Sequence, residues 1–177
     1  MNSTIRTINK QAGMTLMEIL ASLAILASVV VGALTLFGSA QSSQTSTQTA
    51  KDLISFRTTI QQLFTGQGGY GAVALNTTLN VTGRVPASFS YNAANTNFNT
   101  SWGGSLSITG TSSNFTMTLT EVTEDICIAL VTGLSSGWKT VSVNGASAST
   151  FPVTLLAATT GAGACAASNT IIWTTTN

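Results

Sequence analysis

Residues 10–37 read KQAGMTLMEILASLAILASVVVGALTLF, and the interpretation of this stretch decides the fold. From Ile19 to Phe37 no side chain is charged, and an uninterrupted apolar run of that length is enough for a helix to span a bilayer. Upstream, residues 1–13 (MNSTIRTINKQAG) carry Arg6 and Lys10 and no acid. Cations before the run and none close after it place the N-terminus in the cytoplasm and the rest outside. The bulk of the chain is therefore expected to be exported.

Three readings of the segment compete. Gly38, Ser39 and Ala40 offer a small-x-small site, so a Sec signal peptide cut after Ala40 would release a binding domain beginning near Gln41. Against it, the apolar run exceeds the roughly 7 to 15 residues of such a signal's core. A plain membrane anchor is the second reading. Both leave Glu18 without a purpose. Insertion scales charge roughly 2.5 to 3.5 kcal/mol for an acid at mid-bilayer and less near the interface, so a carboxylate opening an apolar helix calls for a partner.

Composition narrows the function. The 177 residues are 44% hydrophobic and only 6% charged, with six Lys or Arg and five Asp or Glu, whereas soluble domains average about 25% charged. The length suits one domain with or without an appended segment. Six scattered cations make no basic patch, so nucleic acid is not an expected partner. Histidine is absent, which removes Ser-His-Asp and Cys-His nucleophiles and every imidazole metal site. Two cysteines cannot form a four-thiolate zinc site, and no cofactor is expected. Disorder would bring low hydrophobicity with high net charge, the reverse of what is found. The composition argues for a structural or binding protein rather than an enzyme, with a neutral polar surface suited to packing against copies of itself.

The stretch Lys10-Gln11-Ala12-Gly13-Met14-Thr15-Leu16-Met17-Glu18-Ile19-Leu20 resembles the class III signal sequence of type IV prepilins. The resemblance implies that prepilin peptidase cuts after Gly13 and methylates the new N-terminus, Met14, making Glu18 the fifth mature residue. Met at that first position and the long leader look like the type IVb class. The helix-kinking proline common in the family is missing from residues 14–64, where Gly32 and Gly38 are the only interior breakers. Loss of Arg6 and Lys10 with the leader leaves four cations against five acids.

A helix apolar on all sides sits in lipid or inside other protein, and the family's helix does each in turn. In a filament core the Glu18 carboxylate would face the α-amine of Met14 on a neighbouring subunit. Such a pair contributes more to axial register than to net stability, because desolvation offsets much of the attraction. Thr15 belongs to the same assembly motif. Further along, Gln41 to Ala50 reads as a loop on propensity, yet Leu53, Phe56, Ile60, Leu63 and Phe64 form a helical stripe. The resemblance implies one helix through both, from Met14 to about Phe64, roughly 75 Å long at about 1.5 Å per residue. Gly66, Gly68 and Gly69 would end it.

In the remainder, Val73 to Leu79 is expected to be a short helix and Arg84-Val85-Pro86 an extended turn. Alternation predicts strands at Ser105 to Thr109 and Phe115 to Leu119. Thr123 followed by Glu124 and Asp125 reads as an N-cap and an acidic first turn, opening a helix to about Val131. That also accounts for the acid cluster of Glu121, Glu124 and Asp125 without catalysis. Trp138 to Val143 is a predicted strand closed by an Asn144-Gly145 turn, residues 146–164 a loop, and Asn169 to Thr175 the last strand. Trp102, Trp138 and Trp173 are assigned to packing. The Asn-x-Ser/Thr sites at Asn76, Asn80, Asn99 and Asn114 carry little weight in so Asn- and Thr-rich a chain.

Cys127 and Cys165 both fall in the exported part, where an oxidising compartment favours their pairing. The family's C-terminal disulfide bounds a variable region, implying residues 128–164 as the surface of subunit contacts and variation. The expected fold class is α+β, a long helical spine with its C-terminal half packed on an antiparallel sheet. The parts the resemblance implies are 1–13 (leader), 14–40 (membrane and filament-core helix), 41–65 (amphipathic continuation) and 66–177 (head, with the disulfide-bounded region 127–165). The stretches Asn99 to Gly104 and Thr118 to Val122 look most like thin-pilus major pilins of conjugative plasmids. The implied role is a major pilin, a homopolymer subunit used for adhesion, aggregation or conjugative contact. Its implied partners are copies of itself, prepilin peptidase/N-methyltransferase, an inner-membrane platform protein and an assembly ATPase. The precursor would reside in the inner membrane and the product on the cell surface. A type II secretion pseudopilin or a minor pilin shares the same motif.

Overall fold

A computed structural model of the chain describes residues 15–71, 73–134 and 136–175. Helix α1 runs Leu16–Leu63, and the chain divides into two compact units, Met1–Ala40 and Gln41–Asn177.

In the first unit every described residue is exposed, including Leu26 at 59% and Phe37 at 70%. The few hydroxyls are turned back on the helix: Ser22 donates to the Glu18 carbonyl at 2.7 Å, Ser28 to that of Ile25 at 2.7 Å and Thr35 to that of Gly32 at 2.8 Å. Such bonds let polar side chains sit in an apolar medium at little cost.

In the second unit α1 is amphipathic. Ser46, Thr49, Leu53, Phe56 and Ile60 are buried, a three-four spacing that lines one helical face. Small residues at the first two positions and large apolar ones at the rest make this a packed stripe, so Gln41 to Ala50 is helical where propensity alone reads a loop. Phe56 meets Phe89 edge-on at 5.3 Å and Phe98 at 5.2 Å between ring centroids. Gly66, at φ +84°, ends the helix in a conformation that disfavours a side chain.

Seven strands form one antiparallel sheet. They are β1 Ser90–Asn92, β2 Asn97–Asn99, β3 Ser105–Gly110, β4 Phe115–Val122, β5 Trp138–Val143, β6 Ser149–Thr150 and β7 Asn169–Thr175, in the order β1-β2-β3-β4-β7-β5-β6. Alternate residues of the central strands are buried: Leu106 and Ile108, Phe115, Met117 and Leu119, Ile171 and Trp173. These share one core with Leu53, Phe56 and Ile60 of α1, so the C-terminal half of the helix packs on the sheet. The alternation in β4 breaks at Glu121, whose φ of +55° accompanies a register shift between Leu119 and Val122. This bulge returns Val122 to the buried face. On the other face Thr109, Thr116, Thr174, Thr140 and Thr150 are successive cross-strand partners. One row of neutral hydroxyls thus runs across five strands of this sheet face.

Three further helices complete the head: α2 Leu75–Val81, α3 Glu124–Gly133 and α4 Leu155–Thr159. Helix α2 lies two residues later than expected, because Ala74 bridges to Thr109 of β3 before the helix begins. Thr123 is the N-cap residue of α3, but its side chain makes no capping bond. The stretch expected as loop after Asn144-Gly145 contains β6 and α4, the latter capped by the Thr154 hydroxyl accepting from Ala157 N at 3.2 Å. Strands β1 and β2 also escape sequence reading, since three-residue strands such as Ser-Tyr-Asn show no periodicity. Asn144 and Gly145, at φ +52° and +74°, form the turn closing β5.

Candidate assembly site and disulfide-bounded region

Gly13 and Met14 lie outside the described residues. Thr15 and Glu18 open α1: the Glu18 amide donates to the Thr15 carbonyl at 2.9 Å and approaches the Thr15 hydroxyl at 3.4 Å. Thr15 therefore starts the helix, and Glu18 sits in its first turn, where a negative charge complements the helix N-terminus. Leu16, Met17, Ile19 and Leu20 around it are all exposed. Among the described residues Glu18 forms no ion pair. The arrangement presents one carboxylate on an apolar helix with no cation near it among the described residues.

Cys127 of α3 and Cys165 form a disulfide with Cα atoms 5.9 Å apart, closing a sequence separation of 38. Both cysteines are buried, and the Cys165 amide donates to the Ala158 carbonyl of α4 at 2.9 Å. The bridge ties α3 to the segment entering β7. Residues 128–164 between the cysteines hold most of α3, β5, β6 and α4.

Several buried polar residues were invisible to sequence reading. Asn169, 1% exposed, donates to the carbonyls of Val122 at 2.8 Å and Ala166 at 2.6 Å, and accepts from Ala166 N at 2.7 Å and Asn144 Nδ2 at 2.9 Å. It joins the end of β4, the disulfide segment and the β5 turn. Asn76 is also fully buried, donating to Thr96 O at 2.7 Å and accepting from Ile108 N at 3.0 Å. As a glycosylation site it is closed in the folded head, while Asn80 and Asn99 are exposed. Asp52 is buried in α1, accepting from Gln48 at 3.0 Å and from the Ser88 hydroxyl. In an Asn- and Thr-rich chain no pattern distinguishes these positions from their surface neighbours.

Trp138 and Trp173 are buried in adjacent strands with ring centroids 6.2 Å apart. Trp102, half-buried in the β2–β3 turn, places its indole N–H 3.4 Å from the Thr120 carbonyl. Arg57 of α1 stacks its guanidinium 5.9 Å from the Trp138 ring and donates to Ser136 O at 2.8 Å. Among the described residues no three His, Cys, Asp or Glu side chains are grouped to hold a metal ion.

A helix apolar enough to cross a membrane whose continuation packs on an antiparallel sheet defines the type IV pilin fold. Comparison with known families agrees. A model of the prokaryotic N-terminal methylation motif matches residues 8–34, and the model described as PilS N terminal matches residues 42–176. The chain belongs to the PilS N-terminal family and is a pilin-like structural subunit. The methylation motif implies processing by prepilin peptidase and assembly into a pilus. No curated protein matches the sequence.

Proposed function

We propose that this chain is the major pilin of a type IVb pilus, akin to the thin pili of conjugative plasmids, and serves adhesion, aggregation or conjugative contact. In this reading residues 1–13 are removed after Gly13, Met14 is methylated, and the helix over residues 14–40 waits in the inner membrane before entering the filament core. Residues 41–65 carry the head, 66–177. A platform protein and an assembly ATPase extract and stack the subunits, and residues 128–164 supply head contacts between them.

The observation that supports this reading most is the lone carboxylate of Glu18 on an otherwise apolar, wholly exposed helix half. A buried charge without a partner is strongly unfavourable. In this reading the Glu18 carboxylate pairs in the filament core with the Met14 amine of a neighbouring subunit, and Thr15, at the start of the helix, belongs to the same motif. Glu18→Ala is expected to leave processed, membrane-resident subunit and few or no filaments by electron microscopy; normal piliation sinks the role. N-terminal sequencing of the mature protein tests the class: methylated Met14 supports it, and a start at Gln41 replaces it with a secreted domain. Scarcity of the chain in sheared filaments would point to a minor pilin or pseudopilin.

A further inference from the structure

Apart from Lys51, the exposed charges of the head fall by sign toward opposite ends of the central strands, with half-buried Arg57 on the cationic side. Glu121 is next to last in β4, where Val122 pairs with Asn169 at the start of β7, and it accepts from the Ser168 hydroxyl at 2.9 Å. Glu124 and Asp125 follow in the first turn of α3. All three are exposed. At the other end of β7, Thr175 pairs with Trp138, which carries the Arg57 guanidinium over its ring and precedes exposed Lys139.

Exposed Arg84 belongs to that second end too. Its Nη1 lies 3.3 Å from Gln62 Oε1, close along α1 to Phe64. Phe64 meets Tyr70 at 5.5 Å, and Tyr70 meets Phe115, the first residue of β4, at 4.9 Å. The six steps from Asn169 to Thr175 separate the two ends by about 20 Å at about 3.3 Å per residue. Of the other head charges, Asp52 is buried on Gln48 and Ser88, and Lys51, exposed beside it on α1, stands outside this pattern.

Among the described residues no ion pair joins any of these groups. Acids in the first turn of α3 also suit the helix dipole, which accounts for Glu124 and Asp125 but not for Glu121 or for the cations at the far end. The axis of separation follows α1. Gln48 and Thr49 share a groove with Trp102, whose indole reaches Thr120 beside the acids, whereas Gln62 holds Arg84 at the cationic end.

We infer that the acidic end of one head docks on the cationic end of a second copy, pairing Glu121, Glu124 and Asp125 with Arg57, Arg84 and Lys139 of the next subunit. This rests on the pilin reading above and names the contact that orders the heads. A head-to-tail contact of this kind does not close on itself and propagates as a polar helical filament. A two-fold contact through either end would set like charges against each other, which disfavours closed dimers. One charge pattern thus favours the open polymer and opposes the competing assembly.

Charge exchange tests it in cells expressing the full chain. Arg57 is left intact because it also packs on Trp138. Glu124→Lys with Asp125→Lys, and separately Lys139→Glu with Arg84→Glu, are each expected to lower pilin in sheared filaments on the order of tenfold. The four substitutions together should restore it. Non-reducing gels of the membrane fraction verify that each variant accumulates as disulfide-bonded subunit. A second measurement uses Asp125→Cys with Lys139→Cys and a short bismaleimide, which should yield a ladder of cross-linked subunits from sheared filaments. Reversal variants that assemble like the parent, or filaments that give no ladder, overturn the inference. Parental filaments from the same cells report separately on the pilin reading, so their presence beside unaffected variants removes the charge pairing alone.

Discussion

The two halves of α1 share one backbone conformation and differ in everything that holds them. Before Ala40 no described residue is buried by its own chain, and the segment is apolar on every side. After Gln41 the same helix turns Leu53, Phe56 and Ile60 into a core and leaves Lys51 and Gln61 on its outer faces or margins. The first half is left uncovered by the described residues of its own chain, and in the proposed function lipid or other subunits complete it. The second is completed by its own sheet. Stability of the head therefore rests on residues of the second half, and substitutions in the first half can be made without touching the head core.

The largest separation is expected from paired truncations. Phe56→Ala removes a ring fully enclosed by Phe89 and Phe98, and should destabilise the head by about 3 to 5 kcal/mol. Leu26→Ala should leave the head's thermal midpoint in detergent unchanged. If both variants melt like the parent, the two halves do not differ as described. Next comes the disulfide. Cys127→Ser with Cys165→Ser opens a 38-residue separation, and a loss of about 3 to 4 kcal/mol follows on the chain-entropy account. Denaturant midpoints of parent and variant measure it directly.

Asn169→Ala probes the polar part of the head. It removes hydrogen bonds to Val122, Ala166 and Asn144 at a site 1% exposed, and a cost of about 2 to 3 kcal/mol is expected from the buried groups left unpaired. Loss of amide-exchange protection at Val122 and Thr170 would locate the effect. The smallest effect distinguishes glycines. A Cβ at Gly104 would lie 2.1 Å from the Thr120 carbonyl oxygen, while one at Gly32 meets nothing within 4 Å. Gly104→Ala should cost about 1 to 3 kcal/mol, and Gly32→Ala should leave the head's melting untouched. Loss of filaments in the Gly32 variant would then report on packing between subunits.

Legibility in the sequence followed pattern length. The apolar run, the Leu53 to Phe64 stripe and the alternating strands from Ser105 onward each repeat a period often enough to be read. Strands β1, β2 and β6, of two or three residues, do not. Helix α4 lay hidden among Ala, Thr and Gly because its five residues bury only Ala158. The bulge at Glu121 left no trace either, since a one-residue insertion in a Thr-rich strand looks like more strand. Of the assembly motif, Thr15 and Glu18 are described at the start of α1, and their place in a filament stays a proposal.

The sequence by itself determined the charge deficit, the long apolar run and the single acid that opens it, because composition and an unbroken hydrophobic run need no partner to be recognised. It also placed both cysteines in the part expected to be exported. Only the tertiary structure decided that Asn169 and Asn76 are core residues, that one threonine from each of five strands lines up in a row, and that Glu121, Glu124 and Asp125 stand at the opposite end of β7 from Arg84 and Lys139. These are relations between residues distant along the chain, set by strand order and register, and β7 reaches its place between β4 and β5 only when the last segment of the chain folds back.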